Sequence, residues 1–326
     1  MKSRVQCAAL AVTIATIQIS LAHVIVLAQT RPAAARSWTV AKTPWGDPDL
    51  QGFWTNTTTT PLQRPTDLAE KAVLTPEEQA KRGAEVAARS NADQAPRRGD
   101  PGNYNEFWYE RGRLNPRTSL VIDPANGRLP AVTPEEQKRA AAARAGHGPS
   151  DSPENRSVYE RCITRGLPGA MMPGFYNHNY MIVQTPSYVV INVEMIHDAR
   201  IVPMDGRPHA GAAIRNWLGD SRGHWEGNTL VVETTNFNDK VREQSIIAFS
   251  TGQNLRLVER FTRTADDQID YQFTVTDDSV YAQPWTALIP MTRFDGPIYE
   301  YACHEGNYAM GGILRGARMD EAEAKQ

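Results

Sequence analysis

Gln268-Ile269-Asp270-Tyr271-Gln272-Phe273-Thr274-Val275-Thr276 alternates polar and apolar residues without a break. Successive side chains of a strand point to opposite faces, so Ile269, Tyr271, Phe273 and Val275 define a buried face and the residues between them a wetted one. Working outward, residues 255–264 form a similar run across the Asp266-Asp267 turn, and 285–293 and 298–303 follow on either side of Asp295-Gly296. Upstream, 180–184 and 188–194 flank Thr185-Pro186-Ser187, 199–204 ends at Asp205-Gly206, and 221–225 and 229–235 flank Glu226-Gly227-Asn228. Parallel neighbours need crossovers of about a dozen residues or more, so connections this short mean antiparallel pairing. The series predicts a mainly β fold, an antiparallel meander closing into a barrel with a polar-lined cavity. A short helix over 214–218 is expected to cross one barrel end.

Ahead of this series the chain is irregular. Lys2 and Arg4 precede an apolar stretch over 5–27, and Val26-Leu27-Ala28 supplies small residues for cleavage, which predicts a signal peptide at 1–28. An uncleaved anchor is the alternative, since the stretch approaches the length of a spanning helix. Residues 29–44 read as a flexible lead-in and 45–326 as a single β-barrel domain, with 60–160 as helical and loop decoration. Two short helices start alike in that region, at Thr75-Pro76-Glu77-Glu78 and Thr133-Pro134-Glu135-Glu136. In each, Thr caps, Pro suits the first helical position and Glu returns the capping bond. Residues 119–129 read as a strand, an Asn-Gly turn and a short return.

The formal net charge is −2, and removing Lys2 and Arg4 with the signal makes it more negative. Nucleic-acid binding is excluded as an expectation, because it needs clustered positive charge. The expected location is periplasmic or secreted, with no stable membrane partner after signal cleavage and a small-molecule ligand as partner. Cleavage leaves Cys162 and Cys303 of the three cysteines. In an oxidising compartment these are expected to pair, contributing ~4 kcal/mol by constraining the unfolded chain; two buried free thiols are the alternative.

Gly52-Phe53-Trp54 on a first strand resembles the calycin (lipocalin-like) barrels, in which such a Trp closes one barrel end. A longer resemblance runs through Thr43-Pro44-Trp45-Gly46-Asp47-Pro48-Asp49-Leu50, then Ile182-Val183-Gln184-Thr185-Pro186 to Asp205-Gly206-Arg207-Pro208-His209. It continues in Trp225-Glu226-Gly227 with Thr229-Leu230-Val231-Val232, and in Tyr299-Glu300-Tyr301 with Cys303-His304-Glu305-Gly306-Asn307-Tyr308. Over these motifs the chain is similar to a large family of exported bacterial proteins. The resemblance implies export and brings no reaction with it. Asn228 departs from the Asp usual there, and a turn accepts either.

Candidate chemistry gathers at predicted strand ends. With Glu194 and Arg200 nearby in sequence, His197 lies on an apolar strand face if the strand continues, and His197 and Asp198 lie at a barrel rim if the chain turns. Arg207 and His209 follow the Asp205-Gly206 turn, and His304 and Glu305 follow the last predicted strand. His titrates near neutrality, so His197, Asp198, His209, His304 and Glu305 are the candidate acid–base residues. Glu194, Arg200, Arg207, Trp217, Trp225, Tyr271, Tyr301 and Tyr308 are candidate ligand contacts, with barrel filling as the alternative for the aromatics. Gly219-Asp220-Ser221-Arg222-Gly223 matches the nucleophile elbow of α/β-hydrolases, but it lacks the strand-to-helix context that exposes such a Ser. No metal-ligand spacing is present and no cofactor is expected; zinc or iron held by converging His197, His209 and His304 is the alternative.

These residues support a cofactor-independent lyase, isomerase or hydrolase using imidazole acid–base chemistry in a barrel pocket. The alternatives are a periplasmic carrier of an apolar or aromatic ligand and a metal-dependent hydrolase.

Overall fold

Ten antiparallel strands share one sheet in the computed structural model, which describes residues 38–95, 104–145, 148, 150–240 and 251–325. They are β1 (Gly52–Thr55), β2 (Val121–Asp123), β3 (Asn179–Gln184), β4 (Tyr188–Val193), β5 (Ala199–Pro203), β6 (Asp220–Glu226), β7 (Thr229–Thr235), β8 (Arg256–Ala265), β9 (Gln268–Thr276) and β10 (Trp285–Arg293). The order is β5-β4-β3-β1-β10-β9-β8-β7-β6, with β2 pairing on β10. The predicted signal peptide at 1–28 lies outside the described residues.

The sheet curls into a nearly closed barrel. Its edge strands β5 and β6 meet without forming a ladder. Gly223 of β6 makes the approach feasible, because a Cβ there would fall 2.5 Å from Met204 Sδ and 2.8 Å from Val202 Cγ1. The side chains of Val202 in β5 and of Met204 just beyond it occupy the space that a larger β6 residue would need.

Period-two burial fills the interior. On β9, Ile269, Tyr271, Phe273 and Val275 are fully buried, and on β8 Leu257, Glu259 and Phe261 face the same way. Phe261, Tyr271, Phe273 and Trp285 form a chain of ring contacts with centroids 4.8, 5.6 and 5.5 Å apart. Burying each such side chain contributes roughly 1.5–3 kcal/mol. Trp54 is fully buried near Arg263 and Arg293, whose guanidinium carbons lie 5.8 and 5.1 Å from its ring centroid. Its indole N–H donates to the Leu50 carbonyl at 2.9 Å.

Several expectations need correction. The interior is filled by side chains, so Arg200 and Tyr271 are structural: Arg200 donates to both carboxylate oxygens of Glu259, and the Tyr271 hydroxyl donates to Glu259 Oε1 at 2.9 Å. Residues 298–303 are not a strand, and 214–218 are not a helix: Asn216 forms an isolated bridge to Phe237 and a turn follows at 217–218. The two predicted helices are present as α1 (Pro76–Ser90), with its full capping box, and α2 (Pro134–Ala145). A third helix, α3 (Tyr308–Glu323), follows the final loop. The lead-in gains structure before residue 45, since Lys42 bridges Pro48 and Thr43 is buried.

Candidate functional site

The segment from Ser157 to His178, whose Leu167, Ala170, Met171 and Met172 pack into the barrel core, meets the chain after β10. Cys162 and Cys303 join them in a disulfide. Three contacts fix the final loop: the Tyr299 N–H donates to Glu194 Oε1 at 2.9 Å, His197 Nδ1 lies 3.0 Å from the Tyr301 carbonyl, and Asn307 Nδ2 donates to the Glu160 carbonyl at 2.9 Å. The turn after β4 delivers the first two partners. It places Ile196 and His197 at φ of 64° and 48°, a left-handed conformation that is costly for a β-branched residue and is held here by burial of Ile196.

Between these pieces lies a cavity of about 400 Å³, lined by Tyr104, Tyr159, Tyr301 and the disulfide together with Met310 and Ile313 of α3. The phenols of Tyr159, Tyr176 and Tyr301 interact with one another. Burial is the main reason that Tyr176 and Tyr301 are each pushed up to about 12, and it also raises Tyr159. At neutral pH all three are therefore protonated hydrogen-bond donors.

Arg165 is 2% exposed and lies outside the cavity lining, with its guanidinium carbon 5.1 Å from the Tyr159 ring centroid. Its Nη1 meets His178 Nε2 at 2.8 Å, and His178 Nδ1 meets the Met172 carbonyl at 2.9 Å. A carbonyl accepts only, so Nδ1 carries the proton and Nε2 accepts from Arg165, which makes His178 neutral. Burial and then the Arg165 charge hold its pKa well below the ordinary value. Gly174 admits the imidazole, since a Cβ there would fall 1.8 Å from Nε2. Glu194 is buried and accepts from Asn179 Nδ2 at 2.8 Å.

The sequence-predicted residues do not converge as one acid–base cluster. Tyr301 alone among them, apart from the disulfide cysteines, lines the cavity. His197 is exposed on the turn, so the continuous-strand alternative does not hold. Asp198 accepts from the Thr164 hydroxyl at 2.7 Å, and burial raises its pKa. His209 sits elsewhere, with Nδ1 3.1 Å from Asp220 and Nε2 3.8 Å from Glu233. Arg207 pairs with Asp205 and locks its own turn. His304 and Glu305 are exposed in the turn before α3, and Tyr308 is 85% exposed at its start. Trp217 and Trp225 are half-buried, Trp217 with Lys240 Nζ 5.9 Å from its ring centroid. Ser221 bonds Thr234 across the β6–β7 pair at 2.8 Å, as a strand residue. Among the described residues no group of three His, Cys, Asp or Glu side chains is arranged to hold a metal, and no helix is long and apolar enough to cross a membrane.

Sequence reasoning missed Tyr159, Arg165, Tyr176 and His178. One signal was present: Arg165 is the only charged residue in the stretch 162–174, which is otherwise apolar and Gly/Pro-rich. Comparison with protein-family models, curated proteins and solved structures finds no match.

Proposed function

We propose that the chain is an exported binding protein for a small oxygenated molecule with an apolar or aromatic body, seated between Tyr159, Tyr301 and α3. The observation that carries this reading is the cavity wall itself, which combines aromatic faces and protonated phenols with the apolar Met310 and Ile313. Such a mixture suits ligand pockets, where apolar contact supplies affinity and a few polar groups fix orientation. The histidines of the acid–base reading, His197, His209 and His304, do not line it. Export is in keeping with the disulfide and with the resemblance to exported bacterial proteins.

A screen of small phenols, aromatic alcohols and aromatic acids by NMR tests the proposal. For each compound that binds, Tyr301→Phe should weaken affinity about 5- to 10-fold, the worth of one ordinary hydrogen bond. Ile313→Asp should weaken it further, while His304→Gln and His209→Gln should leave it unchanged. Affinity that followed those histidines and ignored Tyr301 and Ile313 would refute the cavity as the ligand site.

A second reading keeps one specific support. The Tyr301 carbonyl engages His197 Nδ1, so the proton belongs there and Nε2 is the basic nitrogen. Acid–base catalysis with His197 as base requires that His197→Gln abolish turnover of a bound compound without weakening its binding.

A further inference from the structure

Arg165 is unlike the other buried arginines. Arg200 is neutralised by Glu259, while Arg64 and Arg263 donate into backbone carbonyls. Arg165 has no carboxylate partner among the described residues. Its side chain meets a neutral imidazole and the face of Tyr159. A guanidinium keeps its charge in proteins, so this is a net positive charge fixed below the surface. Its field reaches Tyr159, Tyr176, Tyr180 and Tyr301.

Two of those residues, Tyr159 and Tyr301, wall the cavity; the Tyr159 hydroxyl donates to Met195 Sδ at 3.8 Å, a weak acceptor that an anionic oxygen outcompetes. Glu160, a carboxylate in the cavity lining, is already occupied: Arg156 pairs with Oε1, and the Ser157 N–H and hydroxyl donate to Oε2 at 3.0 and 2.9 Å. Little in the wall therefore opposes a negative ligand. An uncharged ligand would leave the buried cation uncompensated, and that is an expensive arrangement in a low-dielectric setting.

We infer that the ligand of this cavity carries an anionic oxygen, a carboxylate on a planar apolar body, held by the phenols of Tyr159 and Tyr301 within the field of Arg165. The inference rests on the cavity reading above and adds the charge of the ligand to it.

The test titrates the full disulfide-bonded protein at neutral pH with benzoate and, separately, with benzamide, its uncharged analogue of similar shape. The ring resonances of Tyr159 and Tyr301 and the methyl resonances of Ile313 report on the site. Benzoate should shift them saturably, and benzamide should bind at least about tenfold more weakly. Arg165→Gln should bring benzoate down to the affinity of benzamide. Because the probe comparison uses the native chain, it decides the question even if that variant fails to fold. Equal binding of the two probes at these resonances would overturn the anionic assignment and leave the cavity standing. Failure of both probes to shift them would overturn the cavity as an aromatic-ligand site, and the anionic assignment with it.

Discussion

At the scale of single residues, His178 has the clearest consequence. Its pKa lies well below 6.5 in the folded protein because the ring is buried and Arg165 faces it. In the unfolded chain the same ring takes up a proton as the pH falls through that ordinary value. Below it the unfolded state binds more protons than the folded one, so stability falls with falling pH by up to about 1.4 kcal/mol per unit until the folded-state value is reached. Asp198 pulls the opposite way: its raised carboxyl contributes stability below the ordinary aspartate range and loses it as the pH rises through the folded value. Urea midpoints of the native protein and of His178→Gln, compared between about pH 7 and pH 5, separate the two effects. The native protein should lose stability more steeply than the variant, and parallel slopes would show that His178 protonates freely in the fold. None of this pairing was legible in the sequence. A lone Arg and a lone His 13 positions apart acquire their meaning only when the chain folds the imidazole over Gly174 and onto the guanidinium.

Among the elements, the seam between β5 and β6 depends on one missing side chain. Gly223→Val would drive atoms into Val202 and Met204; Met204 has some freedom to move, but Val202 is buried in the wall. Overpacking of this kind costs about 1–3 kcal/mol. His224→Val, at the adjacent exposed position, should cost much less and serves as the control. Chemical denaturation reads the loss, and faster amide exchange in β5 and β6 locates it; a stable Gly223→Val protein with both strands protected would mean that the seam is open. Most strands could be read from sequence because one face of each is buried and the other wetted, as in β9, where burial alternates strictly. The run 298–303 failed that logic. Tyr299 and Tyr301 have the right spacing, but Tyr299 is 70% exposed, and side-chain bonds from Glu194 and His197 hold the segment instead of a ladder. Helix α3 escaped notice for another reason. Gly311, Gly312 and Gly316 each weaken a helix by about 1 kcal/mol relative to Ala, so local propensity argues against it.

For the whole molecule, the disulfide links two levels of organisation. Cys162 precedes β3 and Cys303 follows β10, so the bond encloses a loop of 141 positions that contains the main run of barrel strands. Its loss should cost roughly 2–5 kcal/mol of global stability, mostly by freeing the unfolded chain. The folded state should respond locally as well, because the same bond forms part of the cavity wall and anchors the loop that leads into α3. That helix buries none of its residues fully, and Arg318 ties it to the carbonyls of Ser150 and Asp151. The barrel interior owes its packing to Phe261, Tyr271, Phe273 and Trp285, none of which lines the cavity beside the bond. The Cys162→Ser/Cys303→Ser double variant should therefore remain a folded barrel with a lower urea midpoint. Hydrogen exchange should show α3 amides losing protection by local opening, while β8 and β9 amides still exchange only through global unfolding. Unchanged protection of α3 in the variant would mean that the helix and the cavity wall are held by packing alone, and that the bond acts only on the unfolded state.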